Sequence, residues 1–231
     1  MPLTPVLHAA AKAMFRAINK EGIRAILIGG GAMQIIGAIR MTKDLDINVE
    51  SVNEKRWKRI LGDSFYVRPG SKSTRLRATY MRDDEDMSVR CDIASDNARN
   101  LLTMLKYSST TEDGIRFATA PVLMASKFRS FSDRSVQTEH KRRSDLDDIF
   151  HCMELMRWDT LDPMVAEKMP DDLRDIFMTE HDIRRFFDTI DPMSRMMSYE
   201  YLQAGGIAIP SGRYTVGKRV KPSLIGVQSS K

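Results

Sequence analysis

From Asp44 to Val49 the chain alternates strictly, with Asp44 and Asp46 on one parity and Leu45, Ile47 and Val49 on the other. A period of two belongs to a strand with one wet and one dry face, and it sets the two carboxylates roughly 6–7 Å apart on the same side. A second stretch repeats the pattern: Val89, Cys91 and Ile93 are apolar, while Arg90 and Asp92 are polar. If the two strands are neighbours, three carboxylates converge on one point. Unpaired charges do not pack into a core. Three carboxylates sharing a face suit a hard divalent cation, Mg2+ or Mn2+.

The pattern around this pair is α/β first and helical afterwards. Residues 5–20 place Leu7, Ala10, Ala11, Met14, Phe15 and Ile18 on one helical face. Residues 23–28 read as a short buried strand, broken by Gly29, Gly30 and Gly31 before a small helix over 32–37. The aspartate strand spans 43–49 and a helix 53–62. Further strands follow at 64–67, 74–81 and 88–94, with a hairpin turn at 82–86. A helix over 98–106 and a strand over 115–118 complete this half. Beyond it the spacing predicts helices at 122–134, 142–157, 161–168, 171–178 and 180–189, punctuated by Pro163, Pro170 and Pro192. The expected class is α+β, a small mixed sheet flanked by helices and followed by a mainly helical half. Residues 1–118 form the core, 119–200 the helical region, and 201–231 a poorly ordered basic tail.

Composition removes several function classes. No apolar run approaches the ~20 residues that cross a bilayer, and the N-terminus lacks the pattern of a secretory leader. Cys91 and Cys152 alone build no disulfide framework, so a reducing, cytoplasmic setting is expected. The four histidines show no zinc-ligand spacing. Arg213, Lys218, Arg219, Lys221 and Lys231, with no acid between 201 and 231, account for the whole net charge of +5. The preceding 200 residues make no general electrostatic claim on a polyanion.

Glycines after a strand let the backbone approach a phosphate closely, and a following helix start offers free N–H groups to the anion. The pair Gly29-Gly30 after Ile28, with thirteen residues between Gly30 and Asp44, then Asp44-Leu45-Asp46-Ile47 and the later Cys91-Asp92-Ile93, resembles the signature of the DNA polymerase β-like nucleotidyltransferase superfamily. The lead-in Arg40-Met41-Thr42-Lys43 is similar to that of the minimal and abortive-infection-type, toxin-like members. So are Lys127-Phe128-Arg129, Asp133-Arg134, Lys141 and Asp145-Leu146-Asp147-Asp148-Ile149 in the second half.

The resemblance spans about residues 20–157 and implies Mg2+-dependent transfer of a nucleoside monophosphate from a nucleoside triphosphate to a hydroxyl. It casts Asp44, Asp46 and Asp92 as metal ligands and catalytic groups, with Asp92 the general base or the ligand that positions the nucleophile. Gly29, Gly30, Gly31, Arg40, Lys43 and Lys127 become nucleotide-binding residues. Thr42, Asp145 and Asp148 become candidates for substrate contact or for anchoring Lys127 and Arg134. The acceptor stays open among RNA, protein and small molecules, and an antitoxin-type partner is a further expectation. The competing readings are a non-catalytic nucleotide- or RNA-binding module of the same fold, and an interaction protein with a chance acidic surface.

Overall fold

The computed structural model describes residues 3–81, 88–134 and 139–209. The turn expected at 82–86 and the chain beyond 209 lie outside them. Alternation, caps and prolines account for most of the elements. Pro5 opens α1 (Pro5–Lys20), whose apolar face from Leu7 to Ile18 is buried. β1 (Ala25–Ile28) then runs directly into α2 (Gly29–Ile35). The glycines are therefore the first turn of this helix, not a loop ahead of it. After β2 (Asp44–Val49), the Asn53 side chain caps α3 (Glu54–Leu61) by accepting from Arg56 N.

Three antiparallel neighbours follow: β3 (Phe65–Pro69), β4 (Arg75–Met81) and β5 (Ser88–Ser95). Asn97 caps α4 (Ala98–Lys106). A short polar hairpin of β6 (Ser108–Thr110) and β7 (Arg116–Ala118) closes this half. β6 was not expected, because Ser-Ser-Thr carries no apolar alternation. The seven strands form one mixed sheet in the order β3-β4-β5-β2-β1-β7-β6. β2 is parallel to β5 and antiparallel to β1.

The dry face of β2 and its neighbours is continuous. Leu45, Ile47, Val49, Val89, Cys91, Ile93, Leu76 and Ala78 are all buried, and so are Met14, Phe15 and Trp57. Both thiols are free and buried, and burial pushes Cys91 up to about 12.

The helical half comprises α5 (Ala120–Asp133), α6 (Glu139–Leu155), α7 (Asp171–Phe177), α8 (Glu180–Thr189) and α9 (Pro192–Ala204). Its core holds stacked rings, with Phe128 and Phe131 lying 4.4 and 5.2 Å from Phe186 between centroids. The helix expected over 161–168 does not form. Arg157 and Leu161 both adopt the left-handed region, and the chain wraps around buried Trp158, whose Nε1 donates to Glu167 O at 2.6 Å.

Pro192 starts α9 instead of ending a helix. It occupies the first helical position, and Asp191 caps the helix by accepting from Met193 N and Ser194 N. The expected boundary at 200/201 thus falls inside α9, and Leu202, Ala204 and Ile207 beyond it are buried. Among the described residues no helix is long and apolar enough to cross a membrane. Replacing Leu202 by Ala should cost about 2–5 kcal/mol in urea unfolding. A loss under about 0.5 kcal/mol would show that residues past 200 are not part of the core.

Candidate active site

Opposite the dry face, the register of three strands lays out a grid. Asp46 stands beside Asp92 and Asp92 beside Arg77; one row over, Asp44 stands beside Arg90 and Arg90 beside Thr79. The three carboxylates named from sequence therefore share one face and two adjacent rows. They form the floor of a cleft of about 610 Å³, whose opposite wall is built from α5 and α6.

The start of α2 abuts this floor. Gly29 has φ +62°, in the left-handed region, and a Cβ there would stand 2.4 Å from Asp46 Oδ2. A side chain at 29 would be strained by the backbone and blocked by the carboxylate. Gly30 leaves room for Thr42, whose Oγ1 would lie 2.7 Å from an added Cβ. Thr42 Oγ1 in turn reaches Asp44 Oδ1 at 3.2 Å, which orients the first carboxylate. Gly31 faces inward against Leu45 and Leu27, so its small size serves core packing.

Cations reach the cleft from both sides. Lys127 on α5 is buried and pairs with Asp145 Oδ1 at 2.8 Å and Asp148 Oδ2 at 2.7 Å. Arg134 also pairs with Asp145, and Arg40 with Asp148. The Asp145–Asp148 spacing of three puts both acids on one face of α6, where they hold a chain of charges from the loop before β2 to the end of α5. Arg40, Thr42, Lys127 and Asp145 line the cleft; Asp148 stands behind it. Lys43 is exposed and does not line the cleft.

Sequence reading passed over several residues that the fold brings here. Arg90 pairs with Asp44, and its Nε lies 3.2 Å from Asp92 Oδ2; Arg77 Nε lies 3.2 Å from Asp92 Oδ1. Arg75, Ser130 and Ser144 also line the cleft, as does Lys141 of the second-half motif. The parity of Arg90 with Asp92 was visible in the sequence. The alignment of Arg75 and Arg77 with them needed the β4–β5 register.

Asp46 makes no ion pair among the described residues. Burial raises its carboxyl to about 6, with the neighbouring charges of Asp44 and then Asp92 adding to the effect, while Lys127 and Arg90 oppose it. The all-oxygen donor set fits a hard divalent cation. In the present arrangement Asp44 and Asp92 turn to Arg90, and no three metal-ligating side chains among the described residues stand ready to coordinate.

No family model and no curated sequence matches this chain. Among solved structures, it is similar to an antigenic nucleotidyltransferase-like protein from Paracoccidioides brasiliensis, at 12% identity over 86% of this chain and 95% of that one, with a TM-score of 0.57. A Megavirus polyadenylate synthase also matches, at 11% identity over 64% of this chain and 31% of that one, with a TM-score of 0.48. At 12% identity the likeness to the Paracoccidioides brasiliensis protein is one of fold: a mixed sheet flanked by helices and followed by a helical half.

A raised carboxyl binds its proton more tightly in the folded state, so the contribution of Asp46 to stability falls as pH climbs from about 4 through about 6. Asp46→Asn should therefore unfold at a higher temperature than wild type in EDTA at pH 7. The gain is about 2–4 °C per kcal/mol of relieved repulsion and desolvation, and it vanishes below about pH 4. An unchanged or lower melting temperature at pH 7 would refute crowding of the three carboxylates.

Proposed function

We propose that this protein transfers a nucleoside monophosphate from a nucleoside triphosphate to a hydroxyl group, releasing pyrophosphate, in a reaction dependent on Mg2+ or Mn2+. The register that sets Asp46 beside Asp92, with Asp44 one row away and all three facing a cationic wall, carries the proposal. Asp44, Asp46 and Asp92 would hold the divalent ions, which would supply charge neutralisation at the reacting phosphate and acidify the attacking hydroxyl.

Gly29 and Gly30 keep backbone rather than side chain beside the triphosphate, so its oxygens can approach closely. Lys127 and Arg134 line the opposite wall and lower the cost of the charge that develops on departing pyrophosphate. Asp145 and Asp148 hold Lys127 in place. Asp92, at the far side of the triad from Gly29, accepts the proton of the acceptor hydroxyl. The Arg40–Lys43 lead-in and the Lys127–Ile149 motif support a toxin-like member of the group, with a protein inhibitor as a natural partner.

One observation favours a second reading. Arg90 and Arg77 already neutralise Asp44 and Asp92, as they would in a nucleotide-binding module that performs no transfer. Incubation with each labelled triphosphate and a panel of RNA, protein and small-molecule acceptors separates the two. Mg2+-dependent labelling is expected, with Asp44→Asn and Asp46→Asn reducing it by about 10²–10³-fold or more while circular dichroism stays unchanged. Magnesium and triphosphate at about 100 times Kd should also stabilise the wild type by about 2.7 kcal/mol. Stabilisation without labelling of any acceptor would favour the binding module. Wild-type labelling by both variants would remove the carboxylates from the chemistry.

A further inference from the structure

The cleft shared with α5 and α6 occupies only one side of the carboxylates. On the other side the same sheet face continues in the open across β5, β4 and β3. Its rows are set by pairing: Asp46, Asp92, Arg77 and Arg68 in one, and Asp44, Arg90, Thr79 and Tyr66 in the next. Arg75 lies one row further along β4. Beyond the three carboxylates, this face carries no acid among the described residues of β3, β4 and β5. Arg68 and Arg75 are exposed and make no ion pair among the described residues. Tyr66 is 63% exposed, with its ring on the same face. Arg90 and Arg77 are paired with Asp44 and Asp92, so Arg68 and Arg75 are the cations that this face offers to a ligand.

We infer that this face seats the 3′ end of a single-stranded polynucleotide, which serves as the hydroxyl acceptor; the inference rests on the nucleotidyl-transfer reading above. Three strand spacings of about 4.8 Å put Arg68 about 14 Å from Asp46, a span for several phosphates rather than one. Arginines meet the backbone phosphates, and an exposed aromatic ring on a sheet offers a surface on which a base stacks.

The opening beside the carboxylates is small. A cavity of about 140 Å³ is bounded by Asp46, Asp92, Asn48 and Arg75, well below the ~300–1,000 Å³ typical of pockets that enclose a whole small molecule. It admits a terminal sugar while the rest of the chain lies over the strands. Asp46 and Asp92 line both this cavity and the larger cleft, so acceptor and triphosphate meet across them. The acceptor's 3′ oxygen bonds to the α-phosphorus, the bond from that phosphorus to the α–β bridging oxygen breaks, and pyrophosphate leaves. The hydroxyl proton passes to a carboxylate oxygen of Asp92.

The test uses the full chain and a labelled single-stranded oligonucleotide, as RNA and as DNA, followed by fluorescence anisotropy. The double variant Tyr66→Ala/Arg68→Ala should bind at least about tenfold more weakly, and Arg68→Glu more weakly still. The slope of log K against log salt should fall by about 0.7, because one phosphate is no longer neutralised when Arg68 is replaced. Thermal stabilisation by magnesium and triphosphate should stay at the wild-type value, since neither residue lines the larger cleft. Preference for RNA over DNA would assign the 2′-hydroxyl a contact; equal binding would assign the phosphates alone, and both outcomes support the surface.

Unchanged affinity of the double variant would overturn the proposal, as it would if the basic residues beyond 209 held the oligonucleotide. So would displacement by poly-glutamate at matched charge, which would assign the face to an acidic protein. Label appearing only on other acceptors would overturn the proposal and leave nucleotidyl transfer standing. Label on no acceptor at all would remove the transfer reading itself.

Discussion

Parallel pairing of β2 with β5 is the constraint on which the site depends. It sets Asp46 directly beside Asp92 and forces Asp44 into the next row, leaving three like charges in adjacent rows of a half-buried face. Burying and crowding these charges opposes folding, and the rise of the Asp46 carboxyl to about 6 expresses burial first and the neighbouring charges of Asp44 and Asp92 second. Burial of Leu45, Ile47, Val49, Cys91 and Ile93 on the reverse of the same strands holds the register despite it. Slipping either strand by one residue would exchange the carboxylates with the core, so apolar packing on one face enforces repulsion on the other.

A second set of charges joins the two halves of the chain. Arg40, before β2, meets Asp148; Lys127 bridges Asp148 and Asp145; Arg134 completes the run at Asp145. Both acids and Lys127 are buried, so losing one partner would strand a charge, a loss of about 3–5 kcal/mol in comparable pairs. The network explains how helices distant in sequence stand opposite the glycine turn with their cations aimed into the cleft. It also gives Lys127 a structural duty alongside the one the chemistry suggests.

Elements with one strong local signal were legible from the sequence. The 98–106 and 180–189 helices match α4 and α8, and the aspartate strand differs by one residue from β2. Failures came where a residue had two readings. Pro192 ends helices and also begins them, and only the cap from Asp191 decides between the two. The amphipathic look of 161–168 yielded to Trp158, whose burial pulls the chain around it. Gly29, Gly30 and Gly31 were read as a set. The fold separates them: the first clears space for Asp46, the second for Thr42, and the third packs against Leu45.

The sequence by itself determined which side chains share a parity on each strand, because alternation is a local property of extended backbone. Asp44 with Asp46, and Arg90 with Asp92, followed from that alone. Only the tertiary structure decided which strands are neighbours and in what register, since hydrogen bonding between distant segments carries no local imprint. That decision brought Asp92 to Asp46, placed Arg75 and Arg77 beside them, left Lys43 outside the cleft, and turned lysines and arginines from a helical half toward a cluster of acids on a sheet.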